Sequence, residues 1–98
     1  SGCGPAVFFQ FIDHIAQAAE KRGLEHDLAA TLAIETGLGS LQLMQRSNQA
    51  PSQLVDEVVS PNGVTHALLT SLADSDWSGI IDTAIEAAVN RSTELSKT

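Results

Sequence analysis

The sequence has no tyrosine, one tryptophan, one methionine, one cysteine and few basic groups. Cys3 has no second cysteine to bridge with, so no intrachain disulfide can hold the fold. A lone thiol suits a reducing compartment, and the expected location is the cytoplasm. Lys and Arg number 5 against 12 acidic residues, giving a formal net charge of −7. Lys21, Arg22, Arg46, Arg91 and Lys97 are scattered. No basic stripe exists to neutralise phosphates, which argues against nucleic acid and against an anionic membrane surface as partners. No apolar run approaches the roughly 20 residues of a membrane-spanning helix. Neither common glycine fingerprint for nucleotide binding is present. His14, His26 and His66 lack a cysteine pair or a histidine four residues away, so no metal site is expected. Cys3 and His14 lie roughly 16 Å apart along a helix, too far for a local catalytic dyad. The carboxylates read as a solvated acidic face rather than as a glycosidase pair. These 98 residues lack the parts of a complete enzyme. The chain opens on Ser1 rather than Met, with no signal-peptide pattern. It is therefore expected to be a segment of a larger protein, or to have had Ser1 exposed by processing.

What is present is apolar and helical. The chain is 43% hydrophobic but only 4% aromatic, rich in Ala and Leu, and long enough for one domain over residues 1–98. A domain of this size buries a modest share of its surface, so a partner subunit would help it. Periodicity predicts a helix from Pro5 to about Arg22, with Phe8, Ile12, Ile15 and Ala19 on one stripe. Val7, Phe9, Phe11, Ala16 and Ala18 are apolar on other sides, so this helix should be covered on more than one side. Gly23 is its natural stop. A second helix is predicted over His26–Arg46. Gly37 and Gly39 within it would each cost about 1 kcal/mol relative to Ala, which suggests close approach of another backbone. A short helix is predicted from Pro51 to about Val58, with Leu54 and Val55 inward. Another is predicted over Thr65–Leu72, and a last from Trp77 to about Leu95. Asp74-Ser75-Asp76 offers capping chemistry between these two. Trp77, Ile81, Ala84, Ile85, Ala88 and Val89 form the apolar face of the last helix. No strand-like alternation, internal repeat or low-complexity linker occurs.

Two stretches place small, flexible residues at helix starts: Ser1-Gly2-Cys3-Gly4-Pro5-Ala6 and Ser60-Pro61-Asn62-Gly63-Val64-Thr65. Helix N-termini carry unpaired N–H groups and partial positive charge, so either can hold an anion, and Gly lets a ligand approach the backbone. On local physics alone the plainer reading of each is a cap and a turn.

Taken together, they resemble the carboxy-terminal dimerisation domain of the pyrroline-5-carboxylate reductases. That family reads Ser-Gly-Ser-Gly-Pro-Ala at the entry to its first domain helix and Ser-Pro-Gly-Gly-x-Thr before a later one. The matching residues are Ser1, Gly2, Gly4, Pro5 and Ala6, then Ser60, Pro61, Gly63 and Thr65. Pro51 fits the family's short helix. Arg91-Ser92-Thr93-Glu94-Leu95 resembles its closing Arg-Ser/Thr-x-Glu-Leu. The departures are Cys3 for Ser, Asn62 for the first Gly, Val59 for a small or hydroxylated residue, and Leu68 for Ala or Gly.

The resemblance implies an all-α fold of about five helices in an intertwined homodimeric bundle, like the C-terminal domain of 6-phosphogluconate dehydrogenase. It implies reduction of 1-pyrroline-5-carboxylate to L-proline with NADPH or NADH, held on an amino-terminal Rossmann domain outside this chain. It implies a homodimer that can build larger rings. Ser60, Pro61, Asn62, Gly63, Val64 and Thr65 would bind substrate. The Thr65 hydroxyl would be at the reacting imine or at the nicotinamide amide, or else would only cap the helix. Cys3, Gly4 and Pro5 would wall the nicotinamide side. Val59 and Leu68 also keep open a related enzyme for another imine or a 3-hydroxyacid. A helical dimerisation module without catalysis would share the apolar helices and owe nothing to Ser60–Thr65.

Overall fold

The computed structural model describes residues 3–97. Five α-helices follow one another: α1 (Cys3–Lys21), α2 (His26–Arg46), α3 (Pro51–Val58), α4 (Val64–Asp74) and α5 (Trp77–Ser96). No strand occurs among the described residues. None of the helices is long and apolar enough to cross a membrane. The chain divides into two compact units, one reaching Leu54 and one starting at Val55, and each is described in turn.

In the first unit α1 and α2 pack on each other across a turn of four residues, Arg22–Glu25, short enough to make them antiparallel neighbours. The turn is fully specified by its hydrogen bonds. Leu24 N–H donates to the Ala19 carbonyl at 3.2 Å and Gly23 N–H to that of Glu20 at 3.0 Å. This is the paired closure of a Schellman motif, with Gly23 at φ 105° supplying the left-handed residue it requires. Glu25 then caps α2, its carboxylate accepting from Asp27 N–H at 3.1 Å and Leu28 N–H at 3.0 Å. These two bonds hold the Glu25 carboxyl below its usual pKa. His26 Nδ1 lies 2.8 Å from Glu20 Oε1, and that hydrogen bond and charge push the His26 pKa up.

The seam between the two helices is made of small residues. Ala16, Ala29 and Ala33 are the buried core, with Ile12 and Ala19 packed against them. Small residues let the helices approach closely, and Gly37 belongs to the same device. A Cβ there would lie 3.0 Å from Ile12 Cδ1. Gly39 differs, with open space around it within its own chain. Of the two glycines expected to serve close packing, one does so here, against a side chain rather than a backbone.

The large apolar groups lie outside this seam. Phe9 is 72% exposed and Phe8, Ile34 and Leu38 are each more than half exposed. Phe8, Phe11, Ile15, Leu32, Leu41 and Met44 help line an open apolar trough of about 800 Å³. The first helix is therefore apolar on several sides, as its sequence predicts, yet its own chain covers only one of them.

Pro51 sits at the first position of α3, and Gln53 Oε1 reaches back to accept the Ala50 N–H at 2.8 Å, one half of a capping box. In the second unit no residue of α4 or α5 is fully buried. Val55, expected inward, is exposed, while Leu54 at the end of the first unit is half-buried. On α4 the half-buried residues are Thr65, Leu69 and Leu72, a single stripe at helical spacing. The apolar face of α5 forms as expected but stays open, with Ile85 and Val89 at least half exposed.

Asp76 corrects one expectation. It stands at the N-cap of α5 but in the left-handed region at φ 55°, and its side chain makes no capping hydrogen bond. Its carboxylate lies instead where a Cβ on Gly79 would have to be.

Candidate functional site

The second unit contains the turn that the sequence singles out. After α3, Val59 and Ser60 lead into a tight turn, and Gly63 becomes the N-cap of α4. Gly63 N–H donates to the Ser60 carbonyl at 3.0 Å, closing a four-residue β-turn. Pro61 takes the second position, where its fixed φ fits, and Asn62 takes the third at φ 62°. A positive φ at that position marks a type II turn, which Gly or Asn tolerates best. Gly63 is required for a different reason. Its φ of −88° is ordinary, but a Cβ would lie 3.2 Å from the Ser60 carbonyl oxygen.

No side chain caps the start of α4. The first carbonyl to accept along the helix is that of Gly63, from Ala67 N–H at 3.1 Å. The N–H groups of Val64, Thr65 and His66 are left at an open, partly positive helix end. This refines the expected donor set. Gly63 N–H is consumed by the turn, and Asn62 N–H is consumed by His66 Nδ1 at 2.9 Å. Among the expected binding residues, Val64 and Thr65 therefore keep donors for a ligand. Val64 is 90% exposed.

The six residues Ser60–Thr65 form one continuous corner but do not face one way. Asn62 and Gly63 line an open groove of about 620 Å³ together with His66, Ala67, Thr70 and Asp74. Thr65 is absent from that groove and heads the half-buried stripe of α4 instead. The sequence gives His66 no role beyond its exclusion as a metal ligand. Its bond to Asn62 follows from a spacing of four across a helix start, a signal that was there to be used.

Cys3, Gly4 and Pro5 belong to the other unit. The sequence places Cys3 and Gly4 ahead of a helix that starts at Pro5, whereas all three form the first turn of α1. Proline is tolerated there because first-turn N–H groups have no intrahelical partner. Cys3 is exposed, and Gly4 has no neighbour within 4 Å of where a Cβ would stand. Ser1 and Gly2, which complete that motif, lie outside the described residues. Among the described residues no group of three or more His, Cys, Asp or Glu side chains could hold a metal ion.

Comparison with known proteins points to one family. The family described as pyrroline-5-carboxylate reductase dimerisation matches residues 1–95. A pyrroline-5-carboxylate reductase of Pseudomonas aeruginosa is 37% identical over 97 residues, covering 99% of this chain and 36% of that protein. One from Pisum sativum is 40% identical over 96 residues, covering 98% and 35%. Among solved structures, Plasmodium falciparum pyrroline carboxylate reductase with NADP bound superposes with a TM-score of 0.86 at 39% identity. That match covers 90% of this chain and 34% of the other. The 1-pyrroline-5-carboxylate reductase of Streptococcus pyogenes gives 0.89 at 28% identity, over 93% and 35%. The chain thus spans about a third of the length of the relatives it matches.

Proposed function

The chain belongs to the pyrroline-5-carboxylate reductase dimerisation family, and on that premise we propose that residues 1–98 are one helical domain of a reductase that converts 1-pyrroline-5-carboxylate to L-proline. One observation supports the substrate role above all others: the start of α4 has donors and no cap. The substrate is a small ring bearing one carboxylate. The Val64 and Thr65 N–H groups hold that carboxylate, at about 1.5–3 kcal/mol for each hydrogen bond to a charged group. The Ser60 hydroxyl adds a further donor, and Pro61, Asn62 and Gly63 shape the corner. The Thr65 hydroxyl, one side chain further along α4, reaches the imine nitrogen or the nicotinamide amide. The exposed Cys3, Gly4 and Pro5 offer an open surface against which a flat ring can lie, so the start of α1 fits the nicotinamide side. NADPH or NADH, held mainly outside this chain, supplies the hydride when bound; the related Plasmodium falciparum structure contains NADP. The domain's own contribution is orientation, setting the imine carbon at near-contact distance and in line for reduction. No strong general base is needed, because the pyrrolinium can arrive protonated.

The uncovered apolar side chains of α1 and α2 support a homodimer whose helices interleave, with rings of dimers built upon it. The parent works in the cytoplasm, in proline biosynthesis. The test is NADPH oxidation by the purified parent on pyrroline-5-carboxylate, with other cyclic imines and 3-hydroxyacids alongside. Preference for pyrroline-5-carboxylate supports the reading. Turnover of another substrate class alone overturns it. The isolated 98 residues are expected to show no NADPH oxidation.

A further inference from the structure

We propose that His66 is a positioning residue that latches the Ser60–Gly63 turn in the form that keeps the start of α4 open to a carboxylate. The inference rests on the reading of α4 given above.

One peptide unit decides the form of the turn. Type I and type II turns differ by a flip of the central peptide, here the one joining Pro61 to Asn62. In the type I form Asn62 would relax to a negative φ that any residue adopts. In the observed form it stands at φ 62°, a region unfavourable for an L residue and only tolerated by Asn. Something must favour the costlier form. The bond between Gly63 N–H and the Ser60 carbonyl does not, because both turn types make it. The bond from Asn62 N–H to His66 Nδ1, at 2.9 Å, does. It requires the N–H of the central peptide to point at the first turn of α4, and it fixes the His66 proton on Nε2.

Flipping that peptide would turn the Pro61 carbonyl oxygen toward the first turn of α4. An acceptor would then occupy the space a carboxylate needs, and would meet it with like partial charge. The latch thus does two things with one bond: it withdraws a competing acceptor and holds the Val64 and Thr65 N–H groups clear. Glycine in place of Asn62 would adopt the same φ at little cost and would have no need of a latch. That dependence makes the proposal specific.

The experiment is a cycle in the full-length parent, comparing H66A, N62G and the double substitution, with H66N as the conservative variant. The Asn Oδ1 falls about where Nδ1 was and can accept the same N–H. H66A should raise KM for pyrroline-5-carboxylate about three- to tenfold and leave kcat within about twofold. H66N should restore KM. In the N62G background, H66A should change KM less than about twofold. Wild-type KM in H66A overturns the proposal. So does an H66N variant no better than H66A, or an equal H66A effect in the N62G background. Should H66A not fold, H66N still decides, since it must match the wild-type KM. A readout without substrate separates the latch from the reductase reading. The amide-to-Hα coupling of Asn62 reports its φ, and it must leave the left-handed value in H66A and keep it in H66N. If the parent does not turn over pyrroline-5-carboxylate, the reductase reading fails while this coupling still supports or overturns the latch.

Discussion

Replacing Val64 by proline removes one hydrogen-bond donor from the start of α4 and little else. Val64 is the first residue of the helix, the position where proline's missing N–H and fixed φ are best tolerated. Gly63, which would precede the proline, stands at φ −88° and ψ −175°, inside the extended region that a residue before proline prefers. The valine side chain is 90% exposed, so its loss costs little stability within the chain. The thermal midpoint should therefore stay near that of the wild type. The Val64 N–H has no partner among the described residues, and the proposed function gives it the substrate carboxylate. A hydrogen bond to a charged group contributes about 1.5–3 kcal/mol. Its loss should raise KM for pyrroline-5-carboxylate roughly ten- to a hundredfold, with a smaller effect on kcat. Steady-state NADPH oxidation by the parent measures both. Val64→Ala is the control, since it keeps the N–H and loses the side chain, and it should leave KM within about threefold. Val64→Pro with wild-type KM and normal melting would refute the assignment of the α4 N–H groups to the carboxylate. Equal KM effects from both variants would mean that the isopropyl group, not the donor, meets the substrate.

Leu38 is 56% exposed and lines the trough of the first unit, so cover by a second copy would add about 1–2 kcal/mol per subunit, counted twice across a two-fold axis. Leu38→Ala should raise the dimer dissociation constant roughly thirtyfold or more in sedimentation equilibrium, and an unchanged constant would leave the trough facing solvent. Gly37→Ala should be near neutral in stability, because a helix gain of about 1 kcal/mol is offset by crowding Ile12. Gly39→Ala has room in its own chain, so a weaker dimer in that variant would place a second copy against it, and a tighter one would mean a free helix surface. The turn between α1 and α2 should be pH-dependent on both sides. The raised His26 pKa contributes stability that is complete below the ordinary value of 6.5 and lost as pH rises through the folded value. The lowered Glu25 pKa contributes stability that is complete above 4.5 and lost as pH falls through the folded value. Protection of the Leu24–Leu28 amides should thus peak between these two pH values. An NMR titration of His26 should show its raised pKa return to the ordinary range in Glu20→Gln.

Helix positions were legible where punctuation residues set them. Gly23, Pro51 and the apolar periodicity place α2 and α3 at the bounds the sequence predicts, and α5 begins at Trp77 as predicted. Boundaries slipped where a flexible residue permits either state. The first helix starts at Cys3, two residues before the predicted Pro5, and α4 extends from Val64 to Asp74 rather than over Thr65–Leu72. The turn at residues 60–63 was legible, because Pro61 favours the second turn position and Asn62 tolerates the positive φ of the third. Its donors were not, because they depend on which way single peptides point. Composition says nothing about Gly63 N–H turning back to Ser60 or Asn62 N–H turning to His66. The capping chemistry offered by Asp76 went unused in a similar way: the residue stands at the N-cap, but in a left-handed conformation and with no capping hydrogen bond from its carboxylate.

The alanine seam between α1 and α2 has a consequence for anyone handling the protein. Three alanines, with Ile12 and Ala19 against them, make a weak bond between two helices, while the phenylalanines and most leucines stay largely exposed. In the proposed homodimer, completing the fold and finding a partner would be a single event under mass action, with a melting temperature set partly by protein concentration. Tenfold dilution should lower it measurably, and a newly made chain has most of its grease on the outside until it meets another.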